Sequence, residues 1–453
     1  MTTYVPRVPS PNDFPSDFVW GTATAAYQIE GATTADGRGV SIWDTFAKVP
    51  GAIADGRDGE PADEHYVRYA EDVALMTSLG VNAYRYSISW PRIQADGTGA
   101  ANPKGLDFYR RLTEKVLESG LTPWVTLYHW DLPQALEDDG GWLNRDTADR
   151  FADYSALVVD HLHDLVDHWI TLNEPKAAAW AGYDGGVHAP GKHLGGLAAR
   201  AGHHLGLAHG RSLARIRELA PQASAGVTLD IWPMRPARDN AADRAAAHSA
   251  DGPQNRFYVE SILTGAYPQD ALQFLGQADW FAEQPSTDLE EISQPIDFIG
   301  INYYGCHTVA AAEDGETPVF IDGGAPRTQM GWPIHTDGII QALELVSAYQ
   351  PALPVYVTEN GSAWPDEVEA DGEIRDADRT TYLQQHLGAC ADAIAKGVPL
   401  KGYFGWTLMD NFEWQFGYTR RFGLVHVDFE SQRRTVKQSG KWLSSLLGGT
   451  AHE

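Results

Sequence analysis

Two glutamates in this chain stand where carboxylates could work as a pair. Glu174 lies in Thr171-Leu172-Asn173-Glu174-Pro175, and Glu359 lies in Thr358-Glu359-Asn360-Gly361. Each closes a short apolar run. Taken singly, both segments have ordinary readings. A Glu before Pro suits the start of a helix, where a negative charge meets exposed N–H groups and Pro fits the first turn. Asn-Gly favours a turn, because both residues tolerate positive φ. The two become chemically specific when the fold brings them to opposite sides of one cavity. Glycoside hydrolysis uses such an arrangement, with one carboxylic acid to protonate the leaving oxygen and one carboxylate facing the anomeric carbon. Direct attack by the second carboxylate predicts a separation of about 5–5.5 Å, against roughly 6.5–9.5 Å when a water must fit between them.

Positioning the pair requires elements that end where the glutamates begin. Apolar or aromatic runs read as strands at Phe18–Thr24, Val81–Trp90, Leu121–Trp130, His168–Asn173, Ser224–Trp232, Ile296–Tyr304, Pro354–Glu359 and Leu400–Met409. Between them lie stretches whose apolar residues recur at helical spacing: Glu64–Leu79, Leu106–Ser119, Thr147–Leu165, Leu197–Leu219, Asp337–Tyr349 and Thr380–Lys396. Gly80, Gly120 and Gly397 mark helix ends. Strands alternating with helices predict the α/β class. The specific expectation is a single (β/α)8 barrel of the TIM type over residues 1–453, with long βα loops at its C-terminal face. An open doubly wound sheet is the alternative. It lacks support, since Gly185-Gly186 and Gly195-Gly196 do not have dinucleotide-loop spacing. A barrel places catalytic groups at the C-terminal strand ends, where these runs turn polar and aromatic.

Composition narrows the partners. A formal charge of −27 argues against nucleic acid or an anionic membrane surface as a partner. The chain carries 15 Trp and 19 Tyr, more flat amphipathic rings than a core needs, so part of them is expected to face a polar ligand. Cys306 and Cys390 are too few for a disulfide framework and lack metal-ligand spacing. Met1–Asp17 has no apolar segment of signal-peptide length, so a cytoplasmic enzyme is expected.

With these segments in order, the chain resembles family 1 glycoside hydrolases, β-glucosidases, over essentially its whole length. The segments carrying the resemblance begin with Phe18-Val19-Trp20-Gly21-Thr22-Ala23-Thr24 and Tyr128-His129-Trp130-Asp131-Leu132-Pro133. They continue through the two glutamate motifs to Asp410-Asn411-Phe412-Glu413-Trp414 and Arg421-Phe422-Gly423. The resemblance implies Glu174 as acid/base and Glu359 as nucleophile of a retaining double displacement. It implies Gln28, His129, Asn173, Glu413 and Trp414 as hydrogen-bonding partners of the sugar. Trp406 is similar to the platform beneath that sugar, and Trp332 lies where the family builds the aglycone wall. Arg85, Asn302 and Tyr304 are expected to support the nucleophile, with no cofactor and no metal. Terminal β-glucosides are the implied substrates, with β-galactosides and β-fucosides beside them. Transglycosylation through the same site, or a non-catalytic sugar-binding relative, are the alternatives; oligomeric state is not legible.

These types suit a pyranose, which offers hydroxyls around its edge and an apolar face to an indole. Arg85 and Tyr304 are expected to hold Glu359 ionised, and that charge to keep Glu174 protonated. Glu413 is expected to repel the phosphate that a related subgroup binds. Several residues carry plainer expectations. His161, His163, His203 and His204 read as exposed helix residues, and Asp131 and Asp410 as loop supports. One departure stands out: the family often has Asn on the aglycone side after Gly226-Val227-Thr228-Leu229, and here the residue is Asp230.

Overall fold

The computed structural model of the chain describes residues 4–451. Eight parallel strands close a barrel in chain order: β1 (Val19–Ala23), β2 (Ala83–Ser87), β3 (Thr122–Thr126), β4 (His168–Asn173), β5 (Ser224–Asp230), β6 (Phe298–Asn302), β7 (Val355–Asn360) and β8 (Leu400–Trp406). β8 returns to β1, pairing Trp406 with Ala23. Each predicted run holds one of these strands, and the differences lie at the ends. The run expected to reach Trp90 leaves the ladder after Ser87, because Trp90–Ile93 turns into a short helix with Pro91 in its first turn. The run expected to reach Trp130 stops at Thr126, and Trp130 itself takes a φ of 76° that no pleated strand accommodates.

The outer helices follow the predicted periodicities: α1 (His65–Leu79), α2 (Pro103–Glu118), α3 (Asp146–Leu162), α4 (Ala198–Leu219), α5 (Gly338–Ser347) and α6 (Ala377–Ala395). A seventh, α7 (Gln438–Leu447), lies beyond the predicted set. In α2 the start is set by Pro103 behind Asn102, whose side chain accepts from Lys104 N at 3.2 Å. Its buried face is Phe108, Tyr109, Leu112 and Val116, the spacing of one helix side. α1 ends where Gly80 enters the left-handed region at φ 80°, a turn that relieves the unpaired carbonyls of the last helical turn.

The N-terminal end of the barrel is plugged by aromatic rings. Trp124 lies 4.2 Å from the His168 ring, 4.7 Å from Tyr356, 5.0 Å from Phe298 and 5.3 Å from Phe404, centroid to centroid. A ligand can therefore enter only from the opposite face. There the connections after β5, β6 and β8 carry strands outside the eight predicted runs. Met234–Pro236, His307–Ala311 and Pro318–Ile321 form a small sheet, and Val425–Asp428 pairs with Arg433–Val436.

The histidines of α4 correct one expectation. His203 and His204 are buried rather than exposed, because α4 is covered by α3 on one side and by Thr287–Ile292 on another. His203 lies 2.9 Å from both Tyr267 Oη and Asp288 Oδ2, and His204 Nδ1 lies 2.8 Å from Trp142 O. Asp410 does tie down loops, accepting from Arg421, Lys437 and Gly423 N. Asp131 is fully buried; burial pushes its carboxyl up to about 8, and the neighbouring Ser89 hydroxyl opposes the rise. Among the described residues no helix is long and apolar enough to cross a membrane.

Candidate active site

Glu174 follows β4 directly and takes a left-handed backbone conformation, φ 48° and ψ 65°, before Pro175 opens the short helix Pro175–Ala179. A non-glycine residue there costs on the order of 1–3 kcal/mol and persists only where its surroundings impose it. Here the Glu174 N–H donates to Thr228 O of β5 at 2.9 Å, which pins the turn. Glu359 is the penultimate residue of β7, and its carbonyl accepts from Tyr303 N at 3.0 Å.

The two carboxyl groups are held differently. Glu359 has a partner on each oxygen: Arg85 Nη1 donates to Oε1 at 2.7 Å, and the Tyr304 hydroxyl donates to Oε2 at 2.7 Å. Arg85, on β2, also donates to Asn173 Oδ1 at 2.6 Å and Thr358 O at 3.0 Å. Glu174 receives one hydrogen bond, from Asn302 Nδ2 at 2.6 Å. Asn302 thus serves both glutamates: its amide donates to Glu174, and a hydrogen bond from Asn302 also helps to oppose the rise at Glu359. The same amide donates to Asn173 Oδ1 at 3.0 Å, and its own oxygen accepts from Thr358 Oγ1 at 2.8 Å. One continuous network therefore joins the glutamates across β2, β4, β6 and β7.

Electrostatics separates the pair in the same sense. Burial pushes the Glu174 carboxyl well above the usual range, and the negative charges of Asp230 and Glu359 add to it. Burial raises Glu359 as well, so Arg85 and Tyr304 do not hold it in the ordinary carboxylate range. They oppose the rise, Arg85 first, and leave Glu359 the more readily ionised of the two. Glu413 is pushed up to about 8 by burial and by Glu359. At neutral pH it largely keeps its proton before a substrate binds, so repulsion of a phosphate is weaker than an always-ionised Glu413 would give.

Both glutamates open into one cavity of about 180 Å³ at the C-terminal face. Of the residues singled out in the sequence, His129, Tyr304, Trp332, Trp406, Glu413 and Trp414 line it with them. Gln28, Arg85, Asn173 and Asn302 lie fully buried behind this lining. His129 stacks between two walls, 5.7 Å from Trp406 and 6.0 Å from Trp414. Burial and Arg85 keep its imidazole neutral, well below the usual pKa. Its Nε2 sits 3.0 Å from Asn173 Nδ2, which can only donate, so the ring hydrogen is assigned to Nδ1. That Nδ1, and Oε1 of Gln28, have no protein partner, leaving one donor and one acceptor unspent. Gln28 is oriented by its amide, which donates to Phe412 O at 2.8 Å and Asn411 Oδ1 at 3.1 Å.

The tryptophans divide as a sugar site would divide them. Trp43, Trp90, Trp124, Trp142 and Trp169 are fully buried in the core, whereas Trp130, Trp232, Trp332, Trp406 and Trp414 line the cavity. Asp230, the departure noted on the aglycone side, joins the lining, as do Trp130, His188, Trp232, Gln415 and Phe422, which the sequence does not mark as site residues. Trp130 and Phe422 do sit within the motifs quoted above; His188, on a loop without periodicity, gives no signal. Among the described residues no group of three or more His, Cys, Asp or Glu side chains is placed to hold a metal ion.

Comparison with known proteins agrees with this geometry. The sequence profile of glycosyl hydrolase family 1 matches residues 10–450. Beta-glucosidase A of Thermotoga maritima is 45% identical over 436 residues, covering 96% of this chain and 97% of that protein. A bifunctional beta-D-glucosidase/beta-D-fucosidase of Bifidobacterium breve is 43% identical over 458 residues, covering 96% of this chain and 98% of its own length. The solved structure of the Thermotoga maritima beta-glucosidase with deoxynojirimycin superposes with a TM-score of 0.92 at 44% identity, covering 96% of this chain and 99% of that one. The chain belongs to glycosyl hydrolase family 1.

Proposed function

We infer that this protein is a retaining β-glucosidase that releases terminal β-D-glucosyl units by double displacement, with Glu359 as nucleophile and Glu174 as acid/base. The observation that carries the assignment is the asymmetric holding of two buried glutamates in one cavity. Glu359 is gripped on both oxygens by Arg85 and Tyr304, while Glu174 is raised furthest by burial and by neighbouring negative charge.

The steps follow from that asymmetry. Glu359 attacks the anomeric carbon as the Glu174 proton passes to the leaving oxygen, and a glycosyl-enzyme ester forms. Esterification removes the negative charge of Glu359 and lowers the proton affinity of Glu174. Glu174 then takes a proton from water, which attacks the anomeric carbon from the face the leaving group vacated as the bond to Glu359 breaks and its carboxylate is released. Tyr304 keeps its own proton throughout, since burial and Glu359 raise it well above the usual range. Trp406 serves as the platform under the ring, with Trp332 on the aglycone side. His129 Nδ1–H and Gln28 Oε1 supply the unspent donor and acceptor for hydroxyls, beside Asn173, Glu413 and Trp414.

The names of the relatives support glucosides, and the bifunctional Bifidobacterium breve enzyme supports fucosides as further substrates. A complex of the Thermotoga maritima enzyme with galacto-hydroximolactam supports β-galactosides in the same way. We take the chain to act as one catalytic unit, in the cytoplasm, on short β-glucan fragments. The test is proton NMR of the sugar first released from an aryl β-glucoside. The β anomer is expected; the α anomer would mean inversion and would overturn the assignment.

A further inference from the structure

Beside Glu174 lies a buried ion pair that the double displacement does not use. Lys176 sits on the helical turn that follows Glu174, and Asp230 is the last residue of β5. Lys176 Nζ is 2.9 Å from Asp230 Oδ2, with both side chains 8% exposed. Asp230 lines the catalytic cavity together with Glu174, and its Oδ1 has no protein partner. The Glu174 N–H bonds to β5 two residues before Asp230, which ties the acid to the strand that carries this second carboxylate. A buried ion pair seldom stabilises a fold over an apolar pair of the same shape, because removing two charges from water offsets their attraction. Stability is therefore a poor explanation for one placed here.

We propose that Asp230, pinned by Lys176, is a positioning residue for Glu174: its fixed negative charge holds the proton on the acid before bond cleavage and keeps the conjugate base strong after Glu359 is esterified. The proposal rests on the acid/base reading of Glu174 and deepens it. In a site with two glutamates alone, the acid loses all of its electrostatic support once the nucleophile becomes an ester. Asp230 takes no part in bond making, so its charge persists through both half-reactions. Burial raises the Asp230 carboxyl, and Lys176, 2.9 Å away, opposes that rise and favours the charged form.

The groups facing Glu174 are few. They are Lys176 from its own turn, Asp230 from β5, Glu359 from β7 with Arg85 on its far side, Tyr304 after β6 and the neutral His129 after β3, with Glu413 and the neutral His188 elsewhere in the same cavity. The charge of Lys176 is felt at Asp251 and His307, and that of Asp230 at Tyr258. The negative charges of Asp230 and Glu359 both favour the protonated form of Glu174, and Lys176 opposes them.

The test is the pH dependence of kcat/KM toward cellobiose for Asp230→Asn and for the double variant Asp230→Asn/Lys176→Met, with Asp230→Glu as the conservative rescue. The alkaline limb reports loss of the Glu174 proton in the free enzyme. Asp230→Asn should move that limb down by on the order of 1–2 units, because it removes the anion and leaves the ammonium. The double variant should move it in the same direction by less, and Asp230→Glu should restore it. The kcat on 2,4-dinitrophenyl β-glucoside, whose aglycone leaves unaided, reads the second half-reaction. It should fall roughly threefold or more in Asp230→Asn, because a weaker base activates water. If Asp230→Asn alone fails to fold, the double variant, which buries no unpaired charge, carries the test. An alkaline limb unmoved in both would overturn the proposal. Glu174→Ala assayed in parallel distinguishes the two levels. Azide rescue with an unmoved Asp230→Asn limb would overturn only this inference, whereas no azide response in Glu174→Ala would overturn the acid/base reading beneath it.

Discussion

Removing a single hydroxyl from Tyr304 should displace one limb of the pH profile. Tyr304 Oη donates to Glu359 Oε2 at 2.7 Å, and its ring packs against Trp332 at 5.0 Å and Phe422 at 6.2 Å. In Tyr304→Phe the ring fills the same space, so the change is confined to that hydrogen bond. A hydrogen bond to a charged group contributes about 1.5–3 kcal/mol, which at about 1.4 kcal/mol per unit corresponds to roughly 1–2 pKa units. The sign follows from the balance at Glu359. Burial raises the carboxyl, and Arg85 and Tyr304 pull it back. Losing Tyr304 therefore raises it further, and because only the carboxylate attacks, activity is lost at higher pH than in the parent. The acid limb of kcat/KM for 4-nitrophenyl β-glucoside should move up by about 1–2 units. Tyr303→Phe is the control: that hydroxyl donates to His335 O and touches neither glutamate, so the acid limb should stay. An unmoved acid limb in Tyr304→Phe, with the rate reduced evenly at every pH, would refute the claim that this hydroxyl sustains the charge of Glu359.

Two further outcomes follow from the same geometry. Because Glu413 titrates near 8, discrimination against glucoside 6-phosphates should widen as pH rises through that value, and Glu413→Gln should flatten the trend; a kcat/KM ratio independent of pH in the parent would contradict this. Trp124→Ala should cost about 3–5 kcal/mol in urea denaturation, because it empties the aromatic plug, with KM little changed since the plug lies at the far end from the cavity; a large KM change at unaltered stability would contradict the placement.

The barrel is legible in the sequence because its strands are short apolar runs that end in polar and aromatic clusters. Thr171-Leu172-Asn173 and Val357-Thr358 read as strand ends from residue type alone, and the glutamates beside them fall at β4 and β7 as the alternation requires. Features carried by one element are legible in this way. Those that depend on two elements meeting are not. The Lys176–Asp230 pair joins a loop turn to a strand end 54 positions on, a distance that carries no periodicity. Asn302 is marked in the sequence as a support of the nucleophile, but its second contact is not legible: Thr358 holds the amide oxygen, and the N–H groups then also reach Glu174. His203 and His204 read as exposed but are buried, because a helix covered on two sides has no free polar face, and the residue types in α4 do not reveal the second cover. The small sheet around His307–Ala311 leaves no sequence signal for a different reason: its strands are mostly half-buried or exposed, so no apolar run marks them.

The central claim is that Glu359 bonds to the sugar while Glu174 only moves protons, and the anomers formed with azide test it most directly. Glu174→Ala, given 2,4-dinitrophenyl β-glucoside, should form its glycosyl-enzyme without needing an acid and then stall for want of a base. Azide needs no deprotonation, so it should restore turnover and give the β-glucosyl azide after two inversions. Glu359→Ala should be nearly inactive with every leaving group. Azide entering the vacated space should displace the aglycone once and give the α-glucosyl azide. Opposite anomers from the two variants are the predicted result; the same anomer from both, or near-parental hydrolysis by Glu359→Ala, would contradict the account.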